Sequence, residues 1–142
     1  VSLVIDNKVY FPYVILKLGD KGNFVDNTSR GGMFCPVDIK TGKISNIAQD
    51  YKLDYLERHP YSNFKFIGFQ IPYFKEALNM IKDAAKEIKE VRFIGWDVAI
   101  TDKGPCIIEG NDYPSYDYWQ IPGHTPNKIG ILLFYKKLFP KL

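Results

Sequence analysis

Phe93-Ile94-Gly95-Trp96-Asp97-Val98-Ala99-Ile100-Thr101, then Asp102-Lys103-Gly104-Pro105, then Cys106-Ile107-Ile108-Glu109-Gly110-Asn111 form one continuous stretch on which the reading of the chain turns. Its flanks are rich in β-branched and aromatic residues and enclose a Gly/Pro turn, the pattern of a β-hairpin. Side chains alternate between faces along a strand, so Glu109 and Asn111 look the same way. Asp97 lies on the side opposite to Val98 and Ile100, whose place is in a core, and so points away from that core.

Whether Asp97 meets Glu109 and Asn111 depends on register, because a one-residue slip exchanges the two faces of a strand. Directly opposed residues of an antiparallel pair project to one side, so Asp97 must oppose Glu109 or Asn111 and not Gly110. An odd loop satisfies this: Thr101 with Pro105 across three residues, or Ile100 with Cys106 across five. Thr101 with Cys106 across four does not. Pro105 has no N–H to give to a ladder, which favours the five-residue loop. With an odd register, two carboxylates and an amide oxygen converge on a face with no adjacent Lys or Arg. These are hard oxygen donors, suited to Mg²⁺ or Mn²⁺ and not to zinc. The competing reading is a polar, solvated hairpin face.

The pattern Gly-Trp-Asp97-Val-Ala-Ile-Thr followed by Gly-Pro-Cys-Ile-Ile-Glu109-Gly-Asn111 resembles the metal-binding end of the ATP-grasp superfamily, most closely its sugar-transfer-associated branch. The resemblance implies that Asp97, Glu109 and Asn111 hold the magnesium ions that bridge the phosphates of ATP. It also implies an α+β fold, a largely antiparallel sheet packed by one long helix, like the C-terminal subdomain of an ATP-grasp enzyme.

The bounds agree with an ordinary globular chain. The 142 residues fit one domain and can bury on the order of two thirds of their unfolded surface. Hydrophobic residues make up 46% and charged residues 25%, which argues against disorder. No apolar run approaches the roughly 18 residues of a membrane span, and no signal-peptide pattern opens the chain. A net charge of +3 with scattered lysines is too little for a nucleic-acid partner. Cys35 and Cys106 fit no metal spacing and read as reduced thiols of a cytoplasmic protein.

Upstream, Val1 to Ile5 and Val9 to Leu18 read as strands around an Asp6-Asn7-Lys8 turn, with Pro12 marking an edge position or bulge. Lys17 by itself is an outward strand residue; the resemblance gives its position a basic residue, usually Arg, directed into the active site. Asn27-Thr28-Ser29-Arg30-Gly31-Gly32 is polar and ends in paired glycines. Glycines let backbone N–H groups approach an anion and Arg30 offers a bidentate contact, while composition by itself favours an ordinary turn. The resemblance makes Asn27, Arg30, Gly31 and Gly32 contacts for ATP phosphate or an acyl-phosphate intermediate.

Met33 to Val37 reads as a strand, the segment from Asp38 to Lys43 as a turn, Ile44 to Asp50 as extended and Tyr51 to Arg58 as a short helical turn. His59 beside Pro60 is structural unless it contacts substrate. Pro72 to Val91 is the one strong helix, with Phe74, Ala77, Leu78, Ile81, Ala84, Ala85, Ile88 and Val91 along one face. The aromatic loop from Asp112 to Gln120 either carries specificity or closes the core, and places Gln120 and His124 as substrate candidates. Lys128 to Leu138 reads as a short helix whose Ile129, Leu132, Leu133 and Tyr135 are available for packing.

The resemblance spans Leu16 through Trp119 but only the back half of an ATP-grasp enzyme, so the chain reads as a single partial domain, 1–142, without the nucleotide-clamping N-terminal lobe. Expected partners are therefore ATP, a carboxylate substrate, and either the missing lobe or a second copy. The activity implied for the complete enzyme is ATP-dependent ligation: a carboxylate becomes an acyl phosphate that an amine or similar nucleophile attacks, with the fragment alone inactive. The branch's association with sugar transfer suggests polysaccharide or glycan modification as the setting. The alternatives are a non-catalytic ATP-grasp remnant and a metal-independent ligand-binding module.

Overall fold

The computed structural model describes residues 1–19, 32–50, 52–125 and 129–140. Among the described residues, eight strands and two helices run in the order β1 Ser2–Ile5, β2 Lys8–Tyr10, β3 Ile15–Leu18, β4 Met33–Pro36, β5 Ala48–Asp50, β6 Tyr55–Leu56, α1 Phe74–Glu87, β7 Phe93–Thr101, β8 Gly104–Asn111 and α2 Leu132–Leu138. A 3₁₀ turn, Asp117–Trp119, precedes α2. The fold is α+β with antiparallel pairing throughout. The chain divides into two compact units, one of residues 1–13 and 72–142, the other of 14–71.

The first unit holds the sheet β2-β1-β7-β8, against which α1 packs. Asp6 and Asn7 take φ of 47° and 60°, the left-handed pair of a two-residue hairpin turn, and leave Ile5 opposite Lys8. The extended run expected from Val9 to Leu18 is broken. Pro12 removes an N–H and fixes φ, β2 ends at Tyr10, and β3 starts at Ile15 in the other sheet. Between them Tyr13 is buried, its carbonyl accepting from the Val1 nitrogen at 3.2 Å.

α1 is shorter than its apolar periodicity predicts. Tyr73 sits at φ 53°, outside the helical region, so Phe74 and not Pro72 begins the helix; Ile88 leaves it at φ −90° and ψ 88°. Phe74, Ile81 and Ala85 are the residues it buries, one stripe at seven- and four-residue spacing.

In the second unit the sheet runs β3-β4-β5-β6 around a core of Met33, Cys35, Ile44, Ala48 and Phe66, with Leu16, Leu18 and Leu56 packed against it. The Asp38 turn is as expected: its carboxylate accepts from the Thr41 N–H at 2.7 Å and the Thr41 hydroxyl at 2.9 Å. The helical turn expected over Tyr51 to Arg58 is instead a tight bend into β6, Tyr51 itself lying outside the described residues. Leu53 at φ 69° takes the chain out of the right-handed helical region, and the Asp50 carboxylate closes the bend by accepting from the N–H groups of Lys52 and Asp54, at 2.8 and 2.9 Å.

Candidate metal site

The β7–β8 hairpin closes more tightly than its sequence suggests. Thr101 pairs with Gly104 and Ile100 with Pro105, so the loop is Asp102-Lys103, not three or five residues. Gly104 provides the φ of 122° that the turn needs, and the Thr101 hydroxyl donates to the Gly104 carbonyl at 2.8 Å. Pro105 is tolerated because β8 is an edge strand, where a missing N–H deprives no neighbour.

That even loop, continued regularly, would oppose Asp97 to Ile108 and turn Glu109 to the far face. A β-bulge corrects it. Val98 pairs with Ile107, but Asp97 pairs with Glu109, leaving Ile108 as the extra residue of β8. Beyond the bulge Trp96 opposes Gly110 and Gly95 opposes Asn111. Asp97, Glu109 and Asn111 therefore share a face, as the sequence reading requires, through a bulge and not through the length of the loop.

The Asn111 amide N–H donates to Glu109 Oε1 at 3.1 Å, which commits the amide nitrogen to the carboxylate and leaves Oδ1 as the acceptor end. Glu109 and Asn111 are exposed and Asp97 is half-buried. Directly opposed residues have Cβ atoms about 5 Å apart, and like charges so placed destabilise a sheet. A divalent cation relieves that repulsion, and two carboxylates with one amide oxygen match the preference of Mg²⁺ or Mn²⁺ for a few hard oxygens. Among the described residues no group of three or more His, Cys, Asp and Glu side chains is arranged to hold a metal.

Glycines brace the site. The Trp96 indole donates to the hydroxyl of fully buried Ser2 at 2.8 Å, and its other edge covers Gly110, where a Cβ would stand 3.2 Å from Cζ3. The glycine between Glu109 and Asn111 is thus the space taken by the indole. On the opposite face Gly95 admits Pro114, whose Cβ lies 2.7 Å from where a Gly95 Cβ would be. The chain after Asn111 consequently folds back over β7. The buried Tyr13 donates its phenol to the Ser115 carbonyl at 2.9 Å and fixes it there. Gly95, Gly110, Pro114 and Tyr13 were not singled out by sequence reasoning; glycines inside two strand patterns were the available signal.

The remaining sequence candidates are dispersed over both units. Lys17 is half-buried on β3, opposite Phe34, in the second unit. Gly32 is buried immediately before β4, while Asn27, Arg30 and Gly31 lie outside the described residues. His59 Nδ1 accepts from the N–H groups of Tyr61 and Ser62, both at 3.3 Å, so Nε2 carries the proton donated to the Gly19 carbonyl at 3.0 Å. The ring thereby ties the 59–62 turn to Gly19. His124 Nδ1 donates to the Tyr118 carbonyl at 2.9 Å with its ring against Tyr13, and the Gln120 side chain covers Gly130.

The profile of the sugar-transfer associated ATP-grasp family matches residues 1–128. No curated protein and no solved structure matches the chain. A match over that much of the 142 residues places the chain in the sugar-transfer associated ATP-grasp family, with the general ATP-grasp, ligase-like function that membership carries.

Proposed function

We propose that Asp97, Glu109 and Asn111 are the Mg²⁺ seat of an ATP-dependent carboxylate ligase. The bulge at Ile108 supports the reading: it puts two carboxylates, hard oxygen donors suited to a divalent cation, opposite each other on an edge hairpin. Asp97 and Glu109 supply the negative charge, and the bond from Asn111 to Glu109 sets the amide so that its oxygen is the end left to coordinate. When bound, Mg²⁺ supplies charge neutralisation at the ATP phosphates. Lys17, Asn27, Arg30, Gly31 and Gly32 are assigned to the anionic end of the substrates, a cation and a glycine-rich backbone being suited to phosphate or carboxylate.

For the whole enzyme, acting with a nucleotide-clamping lobe, the reaction is activation of a carboxylate as an acyl phosphate and its capture by an amine or similar nucleophile. Catalysis of that kind rests on positioning and electrostatics and needs no protein nucleophile. The sugar-transfer association of the family supports a glycan or its precursor as the setting.

The test is titration of the isotopically labelled chain with Mn²⁺, followed by NMR. Paramagnetic broadening is expected to centre on the amides of 95–97 and 109–111, and Glu109→Gln is expected to weaken it by about tenfold or more while leaving the remaining resonances in place. Broadening centred elsewhere, or unchanged in Glu109→Gln, removes these residues from a metal site.

A further inference from the structure

The family match ends at residue 128, and the composition changes there. Residues 129–142 contain three lysines and no Asp or Glu, and otherwise consist almost entirely of large apolar residues. Ile129, Leu132, Leu133 and Tyr135 are available for packing by sequence, and α2 fully buries none of its residues. Leu132 is 45% exposed, Leu133 47%, Ile129 52% and Phe139 38%.

The outward residues of α2 are of two kinds. Residues four apart on a helix lie one above the other, so exposed Leu132 stands over exposed Lys136, and exposed Leu133 over exposed Lys137. Phe134, Tyr135 and Leu138, on the other side, are half-buried, and burial raises the Tyr135 phenol above its ordinary value. One outward face therefore offers two leucines in its first turn and two ammonium groups in its last.

We propose that this face lies on an anionic lipid bilayer, the leucines and Phe139 entering the acyl boundary and the lysines meeting lipid phosphates. Lysine stems lie along apolar surface while their heads reach polar groups, so leucine and lysine on one face are compatible with a bilayer. The charge is complementary: an acid-free segment suffers no repulsion from an anionic leaflet, and each basic residue near such a surface adds to the attraction. The segment lies on the membrane and does not cross it. About 20 apolar residues are needed to span, and no described helix is long and apolar enough.

Cosedimentation with lipid vesicles tests this without reference to metal or ATP. The chain is expected to pellet with vesicles containing phosphatidylglycerol, far less with phosphatidylcholine alone, and less as salt is raised. Lys136→Gln with Lys137→Gln is expected to weaken binding about thirtyfold, and Leu132→Ser with Leu133→Ser to abolish it, both pairs keeping the parent's unfolding midpoint because the side chains are exposed. The proposal is overturned if the chain stays in the supernatant with phosphatidylglycerol vesicles, or if the serine pair binds them like the parent. It is equally overturned if light scattering shows a dimer that the serine pair dissociates, which would make a second copy the occupant.

Discussion

Two glycines act through the atoms they lack. At Gly110 a methyl group would press the Trp96 indole at 3.2 Å, so Gly110→Ala is expected to cost about 1–3 kcal/mol in chemical denaturation, the usual range for overpacking. At Gly95 the obstacle is Pro114 Cβ at 2.7 Å, and Gly95→Ala must push the returning chain off β7. Removing the obstacle should undo the damage: the double variant Gly95→Ala, Pro114→Gly is expected to be more stable than Gly95→Ala alone, which thermal unfolding of the pair measures. Asp38 carries a pH dependence. The Thr41 backbone N–H, and then the Thr41 hydroxyl, hold its carboxyl below the ordinary 3.8, so the folded turn prefers the ionised form. Its contribution is present above that ordinary value and lost as pH falls through the lowered one. Chemical shifts of 38–43 followed through acid titration should show the turn loosening there, and Asp38→Asn should remove the transition.

At the scale of elements, the hairpin shows how a strand pair can correct its own register. The loop alone would send Glu109 to the wrong face, and Ile108 restores the count. Deleting Ile108 removes the bulge, yet leaves Val98 opposite Ile107 and Asp97 opposite Glu109 in a regular ladder. Cross-strand nuclear Overhauser effects between positions 97 and 109 should therefore survive that deletion; their loss would show that the bulge sets more than the count. In the second unit, fully buried Phe66 packs in the small core with Met33, Cys35, Ile44 and Ala48. Phe66→Ala is expected to cost about 3–5 kcal/mol in denaturant unfolding.

At the scale of the whole molecule, the two thiols report on different things. Cys35 is fully buried and its thiol is pushed up to about 12 by desolvation, whereas Cys106 is exposed on β8. The thiolate is the reactive form. Native protein is expected to be alkylated at Cys106 alone, with Cys35 labelled as denaturant opens the second unit, which mass spectrometry can count. Modification of Cys35 under native conditions would mean that this core opens readily.

Much of this protein is written locally. Alternation fixes that Glu109 and Asn111 share a face and that Asp97 turns from the core; Asp6-Asn7 declares its turn; the apolar spacing from Phe74 declares α1. These follow from backbone geometry over a few residues. Whether Asp97 meets Glu109 depends on counting across two strands, and one bulged residue changes that count without leaving a mark in composition. The same holds for Gly95 beneath Pro114, for the Trp96 indole over Gly110, and for an α2 that leaves Leu132 and Leu133 exposed. Each is decided by which distant atoms occupy the neighbouring space, and only the assembled chain supplies them.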